Sequence, residues 1–134
     1  EILVCLVGSE MCIRDSSVRR HSKGEPVGYD GVWVSERDTN LAVIGVGYAD
    51  GYPRSAKNGT PVLINGVEYP LVGRVSMDLI SVDIGNNSAV KVGDEVTLWG
   101  DSLPIEHIAK CAGVIPYELL TGVSKRVSRR YSSN

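Results

Sequence analysis

The chain is 134 residues long, 43% hydrophobic and 22% charged, with a formal net charge of −2. That length suits one domain with its own core, and the charge balance carries no electrostatic footprint for nucleic acid. No apolar stretch approaches the roughly 18 residues of a membrane helix.

Three cysteines without a CxxC pair, Cys5, Cys12 and Cys111, argue against a disulfide framework and a structural zinc site. His21 and His107 have no partner at ligand spacing, so no metal is expected. Composition predicts a soluble, cytoplasmic protein. The basic cluster Lys125, Arg126, Arg129 and Arg130 alternates with Val127 and Tyr131, as a solvated surface strand does.

Residues 1–16, EILVCLVGSEMCIRDS, fit nothing downstream, and their polar residues come too soon for a signal-peptide core. Residues 5–16 equal, without mismatch, one reading frame of the transposase sequencing adaptor that ends AGATGTGTATAAGAGACAG. The expectation is adaptor read-through over 1–16, fused to a domain spanning 17–134.

From Val18 onward the pattern is mostly strands. Pro26 to Val34, with Tyr29, Trp33 and two glycines, predicts a bent or bulged strand. Leu41 to Val46 is continuously apolar and reads as a buried strand. It ends in Gly47-Tyr48-Ala49-Asp50-Gly51-Tyr52-Pro53-Arg54, which is either a polar turn leaving a sheet or a site built at a strand end. Thr60 to Ile64, Asn65-Gly66 and Val67 to Tyr69 form a predicted hairpin, since a type I′ turn needs positive φ at both central residues. Leu71 to Val75, Leu79 to Ile84 and Glu95 to Trp99 are further strands.

Two helices follow. Asp101 or Ser102 can cap the first, with Pro104 near its first turn and Ile105, Ile108, Ala109 and Ala112 at helical spacing before Gly113. Pro116 opens the second, with Glu118 in its first turn and Leu119, Leu120 and Val123 on one face. Lys125 to Tyr131 alternates as a last strand. Many short strands at regular spacing predict a mainly β fold, a small closed, Greek-key-like β-barrel with one or two short helices.

Gly45, Gly47 and Gly51 make GxGxxxG, not a dinucleotide fingerprint, and Tyr52-Pro53 stands where its helix would start. No P-loop, GxSxG or serine–histidine–acid set is present.

GEPVGYDGVW (24–33), VGYADGYPR (46–54) and VGRVSMD (72–78) resemble, in order and spacing, the C-terminal domain of bacterial alanine racemases, and YELLTGVSKRVSRRY (117–131) resembles its end. The resemblance covers about residues 18 to 131 and implies a pyridoxal-phosphate enzyme. Its N-terminal (β/α)₈ barrel carries the cofactor lysine, and each active site of the homodimer joins one subunit's barrel to the other's C-terminal domain. None of Lys23, Lys57, Lys91, Lys110 or Lys125 sits in such a lysine motif.

The resemblance further implies roles. Tyr48 is one of two proton-transfer bases, on the L-alanine face, with the barrel lysine on the D face. Met77 binds the substrate carboxylate through its backbone N–H, and Tyr117 reaches the cofactor phosphate. Arg74 and Asp78 line the entrance corridor, while Asp50 and Arg54 fix the turn. The implied activity interconverts L- and D-alanine, supplying D-alanine for peptidoglycan. Asp30 and Ser128 depart from the pattern where glycine and proline are common. A serine or broad-spectrum racemase, and a non-catalytic binding or assembly module, are the alternatives. A basic amino-acid decarboxylase domain would need a reactive cysteine in its site loop, whereas Cys111 falls on a helix among apolar neighbours.

Overall fold

The computed structural model describes residues 4–7, 10–13, 16–27, 33–86, 89–100, 102–122 and 128–130. The strands are β1 (Val4–Val7), β2 (Glu10–Ile13), β3 (Ser16–His21), β4 (Pro26–Val27), β5 (Trp33–Val34), β6 (Thr39–Ile44), β7 (Pro61–Ile64), β8 (Val67–Val72), β9 (Ile80–Asp83), β10 (Val96–Trp99) and β11 (Ser128–Arg130). Two helices, α1 (Ile105–Ala112) and α2 (Pro116–Thr121), lie between β10 and β11.

Nine strands form one sheet in the order β11-β1-β2-β10-β7-β8-β9-β6-β3, and β4 pairs with β5 separately. The expected closed barrel is not there. Among the described residues β3 and β11 are the two outer strands and do not pair with each other, so the sheet is open. Strand count and turn spacing cannot distinguish the two outcomes, because closure depends on stagger and tilt accumulated over all the strands.

Local corrections have local causes. The single strand expected over Pro26 to Val34 is two short strands, in which Pro26 pairs with Val34 and Val27 with Trp33; the expected bend around Tyr29 lies outside the described residues. Leu71 and Val72 continue β8 rather than starting a strand. β8 pairs through Val67–Pro70 with β7 and through Leu71–Val72 with β9, so it passes from one partner to the other along its length. It ends at Gly73, whose φ of +77° breaks strand geometry. The hairpin stands as expected: Asn65 and Gly66 have φ of +54° and +79°, the pair a type I′ turn needs.

Pro104 is the N-cap of α1, next to its first turn as expected, and no side chain caps it. The proposed cap Asp101 lies outside the described residues. Gly113 takes φ +71° and the Val114 N–H returns to the Ala109 carbonyl at 3.0 Å, closing the helix where the sequence indicated. The Val123 part of the α2 face and the Lys125–Val127 part of the last strand also fall outside the described residues.

One main core joins the layers. Ala42 and Ile44 of β6, Leu71 of β8, Ile80 and Val82 of β9 and Leu98 and Trp99 of β10 pack with Ile108, Ala109 and Ala112 of α1 and Leu119 of α2. Full burial of each large aliphatic side chain contributes about 1.5–3 kcal/mol, so the apolar residues that identify these strands are also what hold the helices on the sheet. β6 feeds directly out of this core into the segment 47–54.

Candidate functional site

The turn after β6 is pinned by main-chain atoms. The Tyr48 N–H donates to the Ser76 carbonyl and the Ala49 N–H to the Met77 carbonyl, both at 3.1 Å. A Cβ on Gly47 would collide with the carbonyl oxygens of Ser76 and Met77. Gly47 is therefore required by proximity: its φ of −155° is ordinary extended backbone. These two hydrogen bonds join two motifs that are about 28 residues apart in sequence and fix Tyr48 beside the Met77 loop.

Residues 48–50 form one 3₁₀ turn, closed by Gly51 at φ +106°. Asp50 is buried, and its Oδ2 accepts the Gly47 N–H at 3.0 Å. The Arg54 guanidinium carbon stands 5.0 Å from the centroid of the Tyr48 ring, a cation–π contact. Asp50 and Arg54 thus hold the turn, as expected. Tyr52, the other phenol of the motif, is part of the core against which Tyr48 is only partly buried. It is 1% exposed and stacks on Trp99 with centroids 6.4 Å apart. Burial, and secondarily Cys111, hold its hydroxyl far above the ordinary phenol range, so Tyr52 is core and takes no part in proton transfer.

Met77 is 52% exposed. Its carbonyl is engaged by Ala49, while among the described residues no acceptor meets its N–H. Arg74 and Asp78 are exposed on the two flanks of Val75-Ser76-Met77. Tyr117, in the first turn of α2, is 70% exposed. Its helix packs beside the Tyr48 turn: a cleft of about 280 Å³ is lined by Gly51, Pro53 and Arg54 on one side and Val114, Glu118 and Leu119 on the other. The structure therefore brings Tyr48 and Met77 together directly and sets α2 against the same turn; no described contact links Tyr117 to either residue.

Sequence reasoning missed two features. Arg54 as the lid on the Tyr48 ring had a signal, an arginine six residues after the tyrosine and beyond a proline turn. The other is a repeated pattern: Gly28-Tyr29-Asp30-Gly31 places a second tyrosine between glycines, as in 47–51.

The profile of the family described as "Alanine racemase, C-terminal domain" matches residues 11–131. The chain belongs to this family. The alanine racemase of Edwardsiella ictaluri is 59% identical over 115 residues, covering 86% of this chain and 32% of that protein. Among solved structures, the biosynthetic alanine racemase of Pseudomonas aeruginosa superposes with a TM-score of 0.88 at 45% identity, over 92% of this chain and 34% of that one. The Bartonella henselae alanine racemase with covalently bound pyridoxal phosphate gives 0.86 at 37% identity, over 92% and 34%. The chain spans about a third of the length of the alanine racemases it matches. Among its described residues no helix is long and apolar enough to cross a membrane, and no group of three or more metal-ligating side chains occurs.

Proposed function

We propose that this chain is the C-terminal share of a pyridoxal-phosphate-dependent alanine racemase site in a cytoplasmic homodimer, completed by the barrel domain of another subunit. The observation that carries the reading is the main-chain latch between Tyr48 and Ser76–Met77, which holds the Tyr48 turn beside a loop whose Met77 N–H has no described acceptor. That N–H suits one oxygen of the α-carboxylate of alanine. Relatives named alanine racemase support alanine over serine as substrate, and D-alanine for peptidoglycan is the product such an enzyme supplies.

The exposed residues fit a cofactor brought by another chain. The outward Tyr117 hydroxyl is open to a phosphate oxygen, and Met77 is open to substrate. When bound, pyridoxal phosphate supplies the sink for the electron pair left as the Cα proton departs. This chain's residues do the rest of its half of the work. Met77 orients the carboxylate, Arg74 and Asp78 flank the approach, and a tyrosine takes or returns the proton on the L face. Inversion needs a base on each face, because a single base returns the proton to the side it came from.

Tyr48 is the tyrosine the resemblance assigns. A second observation brings Tyr29 into contention: a Cβ on Gly73 would come within 2.9 Å of Val27 Cγ1 and of the Val27 carbonyl oxygen, so the chain two residues before Tyr29 packs against the start of the Arg74–Asp78 loop. Tyr29 itself lies outside the described residues. Phenylalanine at the true base, in a full-length enzyme carrying this domain, lowers racemisation by about 10²–10⁴-fold in both directions. In deuterated water that same variant keeps Cα exchange of D-alanine and loses that of L-alanine. Tyr48→Phe and Tyr29→Phe read side by side assign the role; survival of L-alanine exchange in both would remove the L-face base from this domain.

Residues 1–16 we read as adaptor-derived, with 17–134 as the racemase domain. Its support is the identity of residues 5–16 with the adaptor translation, and a genomic locus encoding these codons would refute it.

A further inference from the structure

The chain holds two Asn-Gly pairs, Asn58-Gly59 and Asn65-Gly66, and all four residues are exposed. An asparagine followed by glycine is open to attack on its own side chain, because no Cβ shields the backbone nitrogen that attacks. Sequence and exposure give the two pairs the same liability. Their hydrogen bonds separate them.

At the first pair both reacting groups are engaged. Asn58 Oδ1 accepts the Gly73 N–H at 2.8 Å, and the Gly59 N–H, on the nitrogen that would attack, donates to the Leu71 carbonyl at 2.8 Å. At the second pair they are not. Among the described residues no acceptor meets the Gly66 N–H and no donor meets Asn65 Oδ1. Asn65 is held elsewhere: its Nδ2 donates to Asp94 Oδ2 at 2.8 Å, and its backbone N–H to the Glu95 carbonyl at 3.1 Å. The bond to Asp94 touches the leaving nitrogen and spares both the side-chain carbonyl and its attacker.

We propose that Asn65 is a site of spontaneous modification, by loss of ammonia through a cyclic imide, and that the bonds to Gly73 and Leu71 protect Asn58 from the same reaction. The Gly66 nitrogen loses its proton to water and bonds to Cγ of Asn65. The Cγ–Nδ2 bond breaks, and ammonia leaves with a proton taken from water. Water then opens the imide at either carbonyl, giving aspartate or isoaspartate. The product sets a carboxylate where Asn65 offered a donor, facing Asp94, which among the described residues keeps only the Lys91 N–H at 2.7 Å. Like charges there push the β7–β8 turn away from the turn before β10. Isoaspartate also lengthens the backbone of a turn that needs positive φ at both of its central residues. The site is independent of the racemase reading.

The test follows both asparagines by peptide mass mapping in a full-length enzyme carrying this domain, incubated at mildly alkaline pH in buffer and in denaturing urea. In buffer the Asn65 peptide takes on the amide-to-acid mass change, and accepts methyl label at isoaspartate, about tenfold or more faster than the Asn58 peptide, the ratio that two retained hydrogen bonds impose. In urea Asn65 loses that lead, since the contacts that tell the pairs apart are gone. Equal rates in buffer, an Asn58 that converts first there, an Asn65 that stays intact in buffer, or a lead that persists in urea overturns the site. Asn65→Asp, which carries the product's charge, melts below the native protein by a margin wider at pH 7 than at pH 3; the same margin at both would overturn the charge contact with Asp94.

Discussion

The amide of Tyr48 and the carbonyl of Ser76 are joined at 3.1 Å, and that contact exists only because residue 47 has no side chain to interpose. The course of the backbone at Tyr48 is therefore set by the closeness of two chain segments.

Gly47→Ala is accordingly expected to damage the domain. The added methyl meets two carbonyl oxygens that cannot turn away without breaking both hydrogen bonds. Overpacking of this kind costs typically about 1–3 kcal/mol, occasionally more, which for a domain of this size lowers the melting temperature by roughly 4–11 °C. Thermal unfolding followed by circular dichroism measures it.

Tyr52→Phe is expected to act in the opposite direction. The Tyr52 hydroxyl is buried without a hydrogen-bond partner among the described residues, and Trp99 Nε1 beside it is likewise unpaired. Removing an unsatisfied buried hydroxyl while keeping the ring recovers its desolvation penalty, about 1 kcal/mol of added stability. Chemical denaturation at constant m-value reads the gain, and a loss of stability would show that the hydroxyl is satisfied.

Asp94 gives a pH dependence. Its Oδ2 accepts the Lys91 N–H at 2.7 Å and the Asn65 Nδ2–H at 2.8 Å, tying the β7–β8 turn to the turn before β10. The Lys91 hydrogen bond first, then that of Asn65, holds the carboxyl below its ordinary value of 3.8. A carboxyl with a lowered folded value stabilises the fold above its unfolded value and loses that contribution as pH falls through the folded one. The melting temperature of Asp94→Ala should thus fall short of the native value more at pH 7 than at pH 3.

The chain alone is expected to be inactive. The described lysines, Lys23, Lys57, Lys91 and Lys110, are all exposed, and none is placed to form a selective linkage with pyridoxal phosphate. Borohydride reduction in its presence followed by mass spectrometry should show no single stoichiometric site, and alanine should keep its configuration. A tight, single adduct would contradict this.

What the sequence disclosed follows from how local each determinant is. Asn65-Gly66, Gly113 and Pro116 state their structures outright, since their backbone requirements involve only neighbouring residues. β6, β7, β9 and β10 were legible from apolar runs. Closure was not, because whether β3 meets β11 depends on every register between them. At the site the split is similar. The Tyr48 turn, with Asp50 and Arg54 as its fixings, could be seen in a contiguous motif. The division of labour between Tyr48 and Tyr52, phenols four residues apart with different fates, is decided by Trp99 from a distant strand, and no local pattern announces it.

The latch between residues 47–49 and 76–77 is written entirely in atoms that every amino acid shares. Replacement of Ser76 or Met77 can therefore reshape what meets an incoming molecule while the distance from loop to turn stays constant. Gly47 has no such latitude. A fold arranged in this way separates the part of a pocket that can drift under selection from the part that cannot, so substrate preference can change in such a lineage without the scaffold being rebuilt.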